Sequence, residues 1–261
     1  MLRLVRLLGA LFLLLGPAAP IRAGEAPVRL EVPPAPAKDV AALPRIAAPR
    51  DDAEIAINTA VARLDAKVRK AAAECRKEGG RNASWERSVS VPMRGPRFLS
   101  YAITDNAFCG GAHPNVSTMA IVYDLVSGAP VDWTGLLPSA LTGQVALATG
   151  MDGTRMVTLA SKRLHALYLA QYRPKSAAKP AAGTAAADAD DDGCREIVAE
   201  SSGGPPAMMA WPDAREGGLA LSFDLPHAVQ ACADTVVIPA AILRREGAKP
   251  LLLDAIAAAK P

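Results

Sequence analysis

One stretch, residues 98–115, limits what this chain can fold into more than any other: Phe-Leu-Ser-Tyr-Ala-Ile-Thr-Asp-Asn-Ala-Phe-Cys-Gly-Gly-Ala-His-Pro-Asn. Leu99, Tyr101 and Ile103 alternate with Ser100, Ala102 and Thr104, the period of two of a half-buried strand. The strand runs into Gly110-Gly111, where positive φ or close backbone approach costs nothing. Pro114 then fixes its own φ and keeps His113 extended. The segment is read as a strand feeding a stiff loop that presents a histidine. Such a histidine suits recognition or catalysis. It equally suits a turn whose imidazole caps a carbonyl.

Ahead of it, residues 1–23 read as a secretory signal. Arg3 and Arg6 form a basic n-region, and Leu7 to Gly16 is an apolar run too short for a span of about 20 residues. Cleavage after Ala23 is expected; an uncleaved anchor is the alternative. No cysteine follows the run, which argues against a lipoprotein. The export signal decides the charge argument. The chain carries 29 basic and 26 acidic residues, but Arg3, Arg6 and Arg22 belong to the signal. The mature chain is therefore neutral, and it makes no electrostatic case for nucleic acid or an anionic surface.

Residues 24–50 hold six prolines among alanines and read as a semi-rigid tether. One domain over residues 51–261 is expected. Asp51 and Asp52 begin a helix whose apolar positions are Ile57, Val61, Leu64, Val68, Ala72 and Cys75, ended by Gly79-Gly80. Trp85 to Val91 and Ser117 to Asp124 read as strands, and Ser127-Gly128 as a turn before a strand restarting at Val131. Met156, Leu159, Ala160, Leu164, Leu167 and Tyr168 define a second amphipathic helix, with His165 at the edge of its stripe. Residues 175–193 end in an acidic run without the glycine and glutamate of a calcium loop, and read as a disordered insertion. Strands are expected at Leu219 to Phe223 and Thr235 to Ile238, then a short helix around Leu251, Leu252 and Ile256. Two main helices between hairpin-linked strands predict an α+β fold built on an antiparallel sheet.

The run from Tyr101 to Pro114, ending Gly-Gly-Ala-His-Pro, resembles the hallmark loop of a family of extracytoplasmic domains of unknown function. Further matches follow in order: Tyr123-Asp124-Leu125, Gly128, the segment Asp132 to Leu137, a helix over residues 154–172, Phe223-Asp224-Leu225-Pro226, and Val236-Val237-Ile238-Pro239 with Leu243. The resemblance covers about residues 85–245. Members occur in the sensor part of a lysozyme-binding anti-sigma factor and beside a peptidoglycan deacetylase domain, and others stand alone in the periplasm. It implies a periplasmic cell-envelope module, non-catalytic, binding a lysozyme-like protein or a peptidoglycan fragment. The chain departs from the family pattern at His227, where a tyrosine is usual, and at Asp234, where a glycine is usual.

The expected binding surface is the loop itself, with Phe108, Gly110, Gly111, His113 and Asn115. The rival is an envelope hydrolase using His113 with Asp105 as an acid–base pair. No Gly-x-Ser-x-Gly elbow, His-Glu-x-x-His, Cys-x-x-Cys or phosphate loop is present in the sequence, so no cofactor or metal is expected. Trp85, Trp133 and Trp211 could form a glycan platform but more commonly serve a core. Four cysteines in an exported chain imply two disulfides. Three pairings are open. The favoured one joins Cys75 to Cys109, tying the long helix to the loop, and Cys194 to Cys232, tying the end of the insertion to the last strand's approach.

Overall fold

The computed structural model describes residues 27–173, 191–200 and 203–259. The expected signal segment lies outside them, as does the acidic insertion up to residue 190. The chain runs β1 (Leu30–Glu31), β2 (Arg45–Ile46), α1 (Asp52–Gly79), β3 (Ser84–Arg94), β4 (Phe98–Phe108), β5 (Asn115–Asp124), α2 (Ser139–Thr142), β6 (Gln144–Thr149), β7 (Arg155–Ala160), α3 (Lys162–Gln171), α4 (Asp191–Ala199), β8 (Met209–Asp213), β9 (Gly218–Ser222), β10 (Val236–Pro239), α5 (Ala240–Arg245) and α6 (Pro250–Ala258). All ladders between these strands are antiparallel, in the orders β1-β2, β3-β4-β5, β6-β7 and β10-β9-β8. The fold class expected from the sequence, α+β, is what the chain adopts.

α1 starts where its cap dictates: the Asp51 carboxylate accepts from the Glu54 amide at 2.9 Å. Its buried face is Glu54, Ile57, Val61, Asp65, Val68, Ala72 and Cys75, three or four residues apart. Asp65 is the polar member amid the apolar ones, and it explains a correction. The proline-rich segment, read as a semi-rigid tether ahead of a domain starting at Asp51, packs onto the domain from Val28 onward. Val28, Val40, Ala42, Leu43 and Ile46 are buried, and α1 supplies the polar partners this backbone needs. Asp65 accepts from the Leu43 amide at 3.0 Å, while Asn58 accepts from the Ile46 amide at 2.8 Å and donates to its carbonyl at 2.9 Å. The Tyr101 hydroxyl donates to the Pro44 carbonyl at 2.7 Å. The prolines set an extended course, and the apolar residues between them have a core to enter. That core also pushes the Tyr101 phenol above its ordinary range, chiefly by burial, and the Tyr123 phenol up to about 12 for the same reason.

The second correction concerns residues 155–171. The expected long helix splits at Ser161. Before it, Arg155–Ala160 pairs with Gln144–Thr149 as a hairpin the sequence reading missed. After it, the Ser161 hydroxyl accepts from the Arg163 and Leu164 amides, both at 3.1 Å, and starts α3. Val131 does not restart a strand; its amide donates to the Val122 carbonyl at 2.9 Å from an irregular segment. Asp191 to Gly193, expected as insertion, belong to α4. Ser100 Oγ donates to the Pro212 carbonyl at 2.9 Å and the Ala214 amide to the Pro92 carbonyl at 3.1 Å, which ties the β8–β10 sheet to the β3–β5 sheet.

Candidate functional site

The loop between β4 and β5 is anchored before it begins. Cys109 is joined to Cys75 in the last turns of α1. The helix end comes so close that a Cβ on Gly79 would sit 2.7 Å from the Cys109 carbonyl carbon, which only glycine allows. Gly110 and Gly111 then take φ of 98° and 100°, turning the chain outward. Phe108 is half-buried, and Gly110, Gly111, His113 and Asn115 are exposed. The His113 Nδ1 lies 3.3 Å from the Pro114 carbonyl oxygen, its one hydrogen-bonding contact among the described residues.

The residue that meets His113 is one the sequence reading did not assign to the site. His227 stacks on it, ring centroids 3.6 Å apart and planes within 3°. Two features put it there. Asp224, just after β9, accepts from Ser117 Oγ at 3.1 Å and from the Thr118 amide at 3.0 Å, which pins the β9 exit against the start of β5. The short 3-10 turn His227–Cys232 is then closed by the Cys194–Cys232 disulfide to α4. Each imidazole thus sits on a segment fastened by its own disulfide, and the favoured cysteine pairing is the one observed. The only hint in the sequence was that His227 departs from the residue the family resemblance predicts.

Asp105 is elsewhere in every sense that matters to chemistry. Its oxygens accept from Trp85 Nε1 at 2.9 Å, Arg87 Nε at 2.7 Å and Arg87 Nη2 at 2.6 Å. Arg87 Nη2 also donates to Asp152 Oδ2 at 2.7 Å, and Asp152 Oδ1 accepts from the Thr154 amide at 2.8 Å. The Arg87, Asp105 and Asp152 side chains are fully buried. Burial works against the Arg87 charge, but its bonds to both carboxylates outweigh that and hold its pKa above the ordinary value. The Asp105–His113 acid–base pair of the rival reading is therefore not assembled: no hydrogen bond joins the two among the described residues. Asp105 ties β4 to β3, and Arg87 ties both to the β6–β7 turn.

No family model matches the chain, and no curated protein matches it. Among solved structures it is similar to a member of the DUF3298 family from Bacteroides fragilis. That likeness has 17% identity and a TM-score of 0.39, and it covers 78% of this chain and 72% of the other.

Trp85, Trp133 and Trp211 are all buried and serve the core, so they form no exposed platform. His165 is also internal. Its Nε2 lies 3.0 Å from the Val198 carbonyl, and burial lowers its pKa despite that bond. Among the described residues no group of three or more His, Cys, Asp or Glu side chains could hold a metal ion.

Proposed function

We propose that this protein is a periplasmic, non-catalytic module of the cell envelope. It binds a partner through residues 110–115 together with His227. The observation that carries the reading is the exposed His113–His227 stack, held from both sides by disulfide-anchored segments. A preorganised polar surface gives more of its interaction energy to a partner, because less ordering is left to do on binding. The two disulfides fit an oxidising, extracytoplasmic compartment. Among the described residues no helix is long and apolar enough to cross a membrane. The hydrolase alternative loses its acid, since Asp105 is occupied inside the domain.

The family resemblance narrows the partner to a lysozyme-like protein or a peptidoglycan fragment. His113, His227 and Asn115 would supply hydrogen bonds, and Phe108 the apolar contact. The test is binding of a purified lysozyme and of soluble muropeptides, measured by calorimetry. One of the two should bind, and His113→Ala with His227→Ala should weaken it by roughly tenfold or more, the scale of a contributing contact. Neither ligand binding, or binding unmoved by both substitutions, refutes the proposal. Turnover of muropeptides that collapses in His113→Ala would establish the rival hydrolase.

A further inference from the structure

Among the described residues β6 pairs with β7 alone and is an edge strand. Its sequence, Gln-Val-Ala-Leu-Ala-Thr, has no charge and no proline; such an edge is a template for pairing with another strand. On β7, the Leu159 amide donates to the Met208 carbonyl at 2.8 Å and its carbonyl accepts from the Met208 amide at 2.9 Å. The main-chain groups of Leu159 therefore point away from β6. Val145 lies opposite Leu159, so by the alternation of an antiparallel ladder the amides and carbonyls of Val145, Leu147 and Thr149 face the open side. The Val145 and Leu147 side chains are 42% and 56% exposed.

This edge is also fastened at both ends. At the hairpin turn, Asp152 is clasped in the interior by Arg87, and the Gly153 carbonyl accepts from Lys67 Nζ at 3.0 Å. At the other end the Gly143 amide donates to the Ser139 carbonyl at 2.8 Å.

We infer that β6 pairs with β6 of a second copy, antiparallel, about a two-fold axis at Leu147. A two-fold brings an edge onto itself, so every outward group meets an outward group. Val145 exchanges hydrogen bonds with Thr149 of the second copy, Leu147 with Leu147, and Thr149 with Val145. Ala146 lies opposite Ala148 on the other face, where small side chains let the ladder close. The second copy is favoured over a foreign strand because β6 is neutral, polar only at its ends, and carries no charge with which to select another partner. Six residues bury less than the roughly 1,600 Å² of a standard interface, so the dimer is weak, with a dissociation constant in the micromolar range or above.

The test is sedimentation velocity of the purified protein from about 5 to 200 μM, concentrations chosen to span that range. The wild type should shift from monomer toward dimer. Leu147→Lys and Leu147→Glu each place like charges across the axis, and each should weaken the dimer at least about tenfold. Mixing the two variants in equal amounts should restore it. Because Leu147 is exposed, melting and circular dichroism should be unchanged in both. A wild type that stays monomeric throughout, or variants that dimerise as well as it does, overturns the inference. Variants that remain monomeric when mixed overturn the Leu147-centred register.

Discussion

Asp105 and His113 are eight positions apart, one on β4 and one on the loop that follows it, and they meet opposite ends. Asp105 continues the buried series Tyr101, Ile103, Asp105, Ala107, while Thr104 and Asn106 are exposed. Parity puts it on the core face, directly opposite Arg87 in the β3–β4 register. His113 lies past the double glycine, where parity no longer applies, and it meets solvent and another histidine. The lesson is that closeness in sequence does not make an acid–base pair when a strand's alternation separates the two. The interior cluster should carry stability, and the surface pair should carry recognition.

The largest effect tests the interior half of that contrast. Arg87→Met leaves the Asp105 and Asp152 carboxylates buried without their cation. It should cost about 3–5 kcal/mol in urea unfolding, the cost of breaking a buried ion pair. Arg87→Lys should recover only part of this, because an ammonium cannot reproduce the fork on two carboxylates. A loss below about 1 kcal/mol would mean that the cluster is not what holds β3, β4 and the β6–β7 turn together.

The disulfides should come next, and they link the two regions. Replacing Cys75 and Cys109 by serine, or Cys194 and Cys232, opens loops of 34 and 38 residues in sequence separation. Each pair should cost about 2–4 kcal/mol. If the surface pair is held as described, each double variant should also weaken partner binding at temperatures where it remains folded. Full binding in both would show that the histidines find each other without the anchors.

Much of the framework was legible because its signals are local. The Asp51 cap and the stripe from Ile57 to Cys75 define α1, and alternation defines β4. Extending that same alternation by one step would have put Asp105 inside. Other features depend on contacts no short window shows. The proline-rich segment packs because Asn58 and Asp65 of α1 satisfy its backbone. Met156 and Leu159 fit a helical stripe as well as a strand until β6 is known to lie beside them, and Ser161 then becomes a cap between two elements. His227 reaches His113 through the Asp224 bonds to β5, more than a hundred residues back along the chain, and through the Cys194–Cys232 closure of its turn.

A smaller effect uses the third histidine, which is internal like Asp105. Burial holds the folded-state pKa of His165 below its ordinary value of 6.5. Between those two values the unfolded chain binds the proton and the folded one does not. Its stabilising contribution is thus complete above about pH 6.5 and is lost as pH falls toward the folded pKa. The melting temperature should fall between pH 7 and pH 5, and His165→Gln should flatten that fall even if it lowers stability at pH 7. An unchanged slope in His165→Gln would assign the acid sensitivity to other groups.

The smallest expected stability change belongs to the surface pair, and it is the sharpest form of the contrast. His113 and His227 are exposed, and outside their own stack the one hydrogen-bonding contact among the described residues is His113 with the Pro114 carbonyl. Truncating both to alanine removes a solvent-facing stack and leaves no buried group unpaired, so unfolding free energy should change by no more than about 0.5 kcal/mol. Partner binding should nevertheless fall, which separates this pair from Arg87, where the loss falls on folding stability. A double-mutant cycle on the two histidines adds the decisive measurement. If the stack acts as one unit toward the partner, either alanine alone should remove most of the binding, and the second little more. If the two losses simply add, the rings contact the partner independently. If unfolding free energy drops by several kcal/mol, the loop is a structural corner and the recognition surface lies elsewhere.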